Sequence, residues 1–127
     1  MKENFIGANR EGVISHIKNK YGAQKENLWI KYPNYVVFRH ENGKWFAVIM
    51  DITKNKLGKV GDEKVDILNV KCNYILQNSL LQEEGFFQAY HMNKNNWITI
   101  LLDGSVDENK VYELIDLSFS EVGRSKK

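Results

Sequence analysis

The stretch from Tyr35 to Ile52 constrains the fold more than any other part of the chain. Tyr35-Val36-Val37-Phe38-Arg39-His40 is rich in β-branched and aromatic residues, which suit a pleated, half-buried surface. Glu41-Asn42-Gly43-Lys44 follows, and then Trp45-Phe46-Ala47-Val48-Ile49-Met50-Asp51-Ile52. Asn-Gly is the favoured pair of a type I′ turn, whose two central residues both need positive φ, so the spacing predicts an antiparallel hairpin turning at Asn42-Gly43. The second strand is apolar on both faces for much of its length. That predicts a central place in a sheet, under a layer of helices.

The flanking pattern supplies the helices and the remaining strands. Asn9 can cap a helix whose apolar residues Val13, Ile14, Ile17 and Tyr21 recur at three and four, with Gly22 as its stop. Leu28 to Pro33 reads as an edge or entry segment, because Pro33 lacks an N–H and restricts Tyr32. Thr53 to Asp62 reads as a polar loop. Val65 to Lys71 is a third strand, with a bulge expected where alternation breaks at Ile67-Leu68. A short helix is expected over Tyr74–Leu81, a fourth strand over Gly85–Tyr90 and a fifth over Trp97–Leu102. Ser105 and Glu108 have the spacing of a capping box for a last helix. Val111, Leu114, Ile115, Ser118, Phe119 and Val122 then form one stripe facing a sheet. Strands joined by hairpins and flanked by helices predict an α+β fold in the order α-β-β-β-α-β-β-α.

At 127 residues the chain fits one domain spanning 1–127, and 43% apolar with 27% charged residues is a globular balance. No apolar run approaches the roughly 18 residues of a membrane span, and Met1 to Phe5 lacks the apolar core of a secretory signal. A single cysteine, Cys72, makes no internal disulfide, which points to the reducing cytoplasm. The net charge of +2 is unevenly spread: residues 1–60 carry eleven Lys/Arg against five Asp/Glu, residues 61–123 four against eleven. The tail Arg124-Ser125-Lys126-Lys127 is basic again. A basic side is compatible with nucleic acid and equally with simple solubility.

Residue chemistry names no reaction. His16, His40 and His91 are scattered and the one cysteine has no paired partner, so a zinc site is not expected. No G-x-S-x-G, P-loop or G-x-G-x-x-G is present. Cys72 is expected to be a buried structural thiol, with a Cys72–His91 pair as a minor alternative. No cofactor, metal or enzymatic activity is expected. His91-Met92-Asn93-Lys94-Asn95-Asn96-Trp97 places a His, amides, a cation and an indole just before a strand; read alone, it is a loop shaped by asparagines with Trp97 in the core.

Several strings together resemble the MmcQ/YjbR family. They are Gly85 to Lys94 with Trp97, Leu101 to Ser105, Trp29-Ile30-Lys31-Tyr32-Pro33, the Val37-to-Met50 hairpin, Asp66 to Cys72, and Leu114 to Phe119. The motif residues are His91, Asn93, Lys94 and Trp97. The resemblance implies a two-layer α+β protein with a twisted five-stranded antiparallel sheet and three helices, similar to the CyaY-like architecture. It also implies a DNA-binding protein of the double-wing type. The chain departs from the family at Asn73-Tyr74, where Asp-Pro is frequent, and at Gln88, where Pro is frequent.

The expectation that follows is a non-enzymatic, monomeric, cytoplasmic DNA-binding protein. Arg39, Lys44, Lys54, Lys56, Lys59 and Lys94 would neutralise duplex phosphates with little sequence readout. The alternative is an adaptor or chaperone-like module that takes a protein partner on the sheet edge or in an apolar groove.

Overall fold

Asn9 caps the first helix, α1 (Arg10–Tyr21), by accepting from the Gly12 amide at 2.8 Å. This satisfies one of the donors that a helix start leaves without a partner. Gly22 ends the helix in the left-handed region (φ 67°), with its N–H on the Lys18 carbonyl. The computed structural model describes residues 5–124. Met1–Asn4 and the end of the basic tail, Ser125–Lys127, lie outside the described residues.

The hairpin pairs β1 (Val36–Arg39) with β2 (Trp45–Thr53). Its turn is not type I′. Only Gly43 has positive φ (90°), the Gly43 amide donates to the His40 carbonyl at 2.8 Å, and the His40 amide donates to Lys44. This is a three-residue loop closing on a left-handed glycine. Asn42 is used otherwise: its Oδ1 accepts from the Lys44 amide and its Nδ2 donates to the Val122 carbonyl, which ties the hairpin to the last helix.

The sheet order is β1-β2-β3-β5-β4, antiparallel throughout, with β3 (Lys64–Lys71), β4 (Phe86–Gln88) and β5 (Trp97–Leu101). The expected bulge at Ile67-Leu68 is absent, since pairing to both neighbours runs through these residues unbroken. β3 is central and buried on both faces, so broken alternation needs no extra residue. The irregularity lies instead between Phe38 and Arg39, opposite Trp45 and Ala47, and it turns both Phe46 and Ala47 towards the helices.

Between β3 and β4 lies α2 (Tyr74–Leu80), capped by Asn73, whose Oδ1 accepts from the Leu76 amide at 2.8 Å. The last helix, α3 (Glu108–Arg124), starts two residues later than a Ser105 cap requires. Asp107 is the cap, accepting from the Asn109 amide at 2.9 Å, while the Ser105 hydroxyl is buried without a partner. Val106 is buried against the core and Asp107 bridges to Gly7, so the chain is still extended at the position the capping box assigned to the helix.

Two apolar clusters flank the sheet. On one face α1 and α3 cover Phe38, Phe46, Ile49, Leu68, Ile98 and Ile100, with Val111, Leu114 and Ile115 from the predicted stripe. Ser118 explains the one polar member of that stripe. Its hydroxyl donates to the Phe46 carbonyl at 2.7 Å and accepts from the Lys71 amide at 2.9 Å, binding α3 to both β2 and β3. The other face carries Val37, Val48, Met50, Ile52, Ile67 and Leu101. No α-helix lies over it; loop residues Trp29, Tyr35, Tyr90 and Met92 pack there instead, together with Leu57 of a single 3-10 turn (Lys54–Leu57) that interrupts the expected polar loop.

Candidate functional site

The loop-covered face opens into a cleft of about 570 Å³. Its walls are aromatic. Trp29 and Tyr35, from the chain between α1 and β1, meet edge to face with ring centres 5.8 Å apart. Trp29 meets Trp45 of β2 in the same way at 5.9 Å. Tyr32 stacks on Tyr35 at 4.7 Å. Both geometries are the ones that ring quadrupoles favour. Met50 and Ile52 form an apolar floor, and Asp51, Lys56, Lys64, Tyr90 and His91 add polar groups. Burial raises the pKa of the Tyr35 hydroxyl above its ordinary value, with Tyr90, Tyr32 and Asp51 adding to the effect, so it remains a donor at neutral pH.

A second cleft of about 480 Å³ adjoins the first. It is lined by Lys56, Leu57, Phe87, Gln88, Ala89, Tyr90, His91 and Lys94. Lys56, Tyr90 and His91 border both clefts and mark their junction.

The segment that delivers His91 is pinned from below. Asn69 and Thr99 face each other across β3 and β5, are fully buried, and hydrogen-bond through the Thr99 hydroxyl and Asn69 Oδ1. Asn69 Nδ2 donates to the Tyr90 carbonyl at 3.2 Å, and the Tyr90 amide donates to Thr99 Oγ1 at 2.8 Å. Lys94 Nζ closes the loop by donating to the Ala89 carbonyl at 2.9 Å. This explains why β4 stops at Gln88: beyond it the chain leaves the ladder for side-chain partners. His91 then sits at φ 59°, the one non-glycine residue with positive φ among the described residues. Such a conformation costs on the order of 1 kcal/mol or more and persists where surrounding contacts impose it.

The remaining motif residues shape this loop. The Asn93 carbonyl accepts from the Asn96 and Trp97 amides, and its Oδ1 accepts from Asn95. Trp97 is buried at 8% exposure, with Lys71 Nζ 5.9 Å from its ring centre. Cys72 belongs to the helix-side core, whereas His91 borders the opposite face, so the two do not form a pair. Burial pushes the Cys72 thiol up to about 11, which leaves it protonated and a poor nucleophile at neutral pH.

Five of the six basic candidates fall into two groups at opposite ends of β2. Arg39 and Lys44 flank the hairpin loop at one end of β2, while Lys54, Lys56 and Lys59 follow its other end. Nine residues of strand, about 26 Å, lie between. Arg39 is held by Glu26 at 3.0 Å and by the Gly43 carbonyl. Lys54 pairs with Glu63 at 3.7 Å. Lys94 is tethered to Ala89 rather than freely extended, although its ammonium has three donors and one bond leaves two. Of the six, Lys56 and Lys94 border the clefts. Trp29, Tyr32, Tyr35, Trp45, Asp51 and Lys64 were not singled out from the sequence as site residues. The usable signal was three aromatics in seven positions, Trp29 to Tyr35, on a segment with neither strand nor helix period. Among the described residues no cluster of three or more His, Cys, Asp or Glu is placed to hold a metal ion, and no helix is long and apolar enough to cross a membrane.

Fold and site together define a two-layer α+β protein with an open, aromatic-lined face on its sheet. The chain belongs to the YjbR family, whose model matches residues 18–121. It is 41% identical over 111 residues to the uncharacterised protein YyaQ of Bacillus subtilis strain 168, covering 87% of this chain and 94% of that one. A crystal structure of a Pseudomonas syringae protein superposes with a TM-score of 0.86 at 41% identity, over 89% of this chain and 97% of that chain. The Deinococcus radiodurans protein DR2400, of the DUF419 domain family, superposes at 0.71 with 18% identity, over 93% of this chain and 80% of that chain, and shares the fold.

Proposed function

We propose that this YjbR-family protein binds nucleic acid without catalysing a reaction, and that its ligand is a single strand seated in the aromatic cleft. The observation that carries this reading is the combination of Trp29, Tyr32, Tyr35 and Trp45 with Lys56 and Lys64 on one open face. Aromatic platforms beside cations suit single strands, because every base has a π-face and every nucleotide a phosphate. A duplex reads poorly here. Its stacked bases are not available to the rings, and the basic residues that would follow its backbone fall into two separated groups, several of them already paired.

The test is a titration of labelled oligothymidylate and of a duplex of equal length at several salt concentrations. The single strand is expected to bind more tightly, with a slope of log affinity on log salt of about −0.7 per phosphate neutralised. Trp29→Ala should weaken it by about 1–3 kcal/mol, the usual worth of one stacked base. Equal or tighter duplex binding overturns the single-strand assignment. No binding of either at low salt overturns nucleic acid altogether and favours the protein-partner reading, which Ile30 supports: it is 98% exposed on the loop that carries Trp29.

A further inference from the structure

We infer that the junction of the two clefts is a phosphate subsite, built from Lys56 and the imidazole of His91, and that the left-handed backbone at His91 exists to aim that ring. The inference rests on the cleft being the ligand site and adds which chemical group sits where. Three observations carry it. Lys56 and His91 each border both clefts, so an ammonium and an imidazole line the junction together. Among the described residues neither the Lys56 ammonium nor the His91 ring has a hydrogen-bond or ion-pair partner, in contrast to Lys54, Lys64 and Lys94 close by. The backbone around His91 is over-determined: Asn69 and Thr99, two fully buried polar residues in the middle of a sheet, are spent on the amide and carbonyl of Tyr90. A glycine would take φ 59° with less strain. A histidine there, exposed to solvent and edge-on to Tyr90 with ring centres 4.1 Å apart, is a side chain placed at the expense of local stability.

The ligand class that matches is a planar base joined to a phosphate: the base goes among Trp29, Tyr35 and Trp45, and the phosphate oxygens accept from Lys56 and His91. The lysine supplies the charge and the imidazole a directed N–H. Asn69 and Thr99 are positioning residues, since they act through the Tyr90 backbone and not on the ligand.

The experiment compares thymidine, thymidine 5′-monophosphate and inorganic phosphate by amide chemical-shift titration of the intact protein, alongside thermal melting. The nucleotide should bind at least about tenfold more tightly than the nucleoside, as expected for a charge-assisted contact, and phosphate alone should shift the Tyr90–Lys94 amides without those of Trp29 and Trp45. Lys56→Gln and His91→Gly should each lower nucleotide affinity by a larger factor than thymidine affinity, so that the nucleotide's advantage over the nucleoside shrinks in both variants. His91→Gly should also melt at or above the parent temperature, and His91→Ala below it. Equal affinity for nucleoside and nucleotide, or a nucleotide advantage that survives both variants, overturns the subsite while leaving the cleft reading intact. A His91→Gly protein that melts below the parent overturns the strain argument. Failure of thymidine and the nucleotide alike to shift the cleft amides removes the cleft reading, and the subsite falls with it.

Discussion

The two faces of the sheet are built from the same five strands and end as different objects. The helix face is closed by α1 and α3, whose side chains fill it to near-zero exposure: Val13, Ile17, Phe46, Leu68, Val111 and Ile115 are all fully buried. The opposite face has an equally apolar floor but is covered by loops, and its covering aromatics remain only half-buried. A helix presents a continuous stripe at fixed spacing and leaves few gaps against a sheet. Loops of unequal length present single large rings instead, and where those rings meet edge to face a cleft remains between them. One face therefore stabilises the fold, and the other is available to a ligand.

The largest effects should separate the faces cleanly. Phe46→Ala on the helix side removes a fully buried ring that packs edge to face with Phe119, with centres 4.9 Å apart, and should destabilise by about 3–5 kcal/mol. Trp29→Ala removes a larger ring from the cleft but only a half-buried one, and should destabilise by about 1–2 kcal/mol. Urea unfolding of both variants measures the contrast. Equal losses would break it, because the cleft rings would then be core.

Next in size is the seam that closes the helix face. Asp116 of α3 accepts from Lys20 Nζ at 2.8 Å, from the Tyr21 hydroxyl at 2.6 Å and from His16 Nε2 at 3.0 Å, so a single carboxylate joins α3 to α1. His16 also stacks on Tyr112 at 4.4 Å. Burial alone would raise the pKa of Asp116, but the bonds from Lys20, Tyr21 and His16 outweigh it and hold the pKa below the usual value. A carboxylate depressed in the folded state binds fewer protons there than in the unfolded chain. Its contribution is complete above the unfolded pKa, about 4, and is lost as pH falls through the folded value. Asp116→Asn should therefore cost about 1–2 kcal/mol at neutral pH. The gap between parent and variant should narrow in acid. A constant gap down to pH 2 would show that the carboxylate's charge is not what joins the helices.

The helix face was legible in the sequence because it is written in periodic positions. The stripe from Val111 to Val122 repeats turn by turn along one helix, and the Asn9 cap and the Gly22 stop each act within a single turn, where local rules decide. The errors fell where a distant contact outbid a local one. Asn42 bonds to α3 rather than entering a type I′ turn, and Val106 is buried against the core, so the helix is capped by Asp107 and not by Ser105. The cleft face was legible only as a family motif. Trp97 and Asn93 take the structural parts expected of them, as a buried ring and a loop former. The aromatic cleft itself is assembled from Trp29, Tyr35 and Trp45, which are brought together only when the chain between α1 and β1 folds back over the sheet. The run of aromatics from Trp29 to Tyr35 is visible along the chain, but its spacing does not say which strand it folds over.

The smallest effect is the sharpest test of where the ligand goes. Arg39, at the hairpin end of β2, is half-exposed and already paired with Glu26, and such a surface pair contributes about 0–1 kcal/mol. Arg39→Ala should leave stability within that margin. If nucleic acid ran along the whole basic side of residues 1–60, Arg39 would neutralise a phosphate and its loss would flatten the salt slope by close to one contact. If the ligand is confined to the cleft, the slope is unchanged, because Arg39 borders neither cavity and its guanidinium is occupied by Glu26 and Gly43. The unchanged slope is the expected result, measured on oligothymidylate across the same salt series for parent and variant. A slope reduced by about 0.7 would extend the binding surface from the cleft to the hairpin and remove the distinction between one end of β2 and the other.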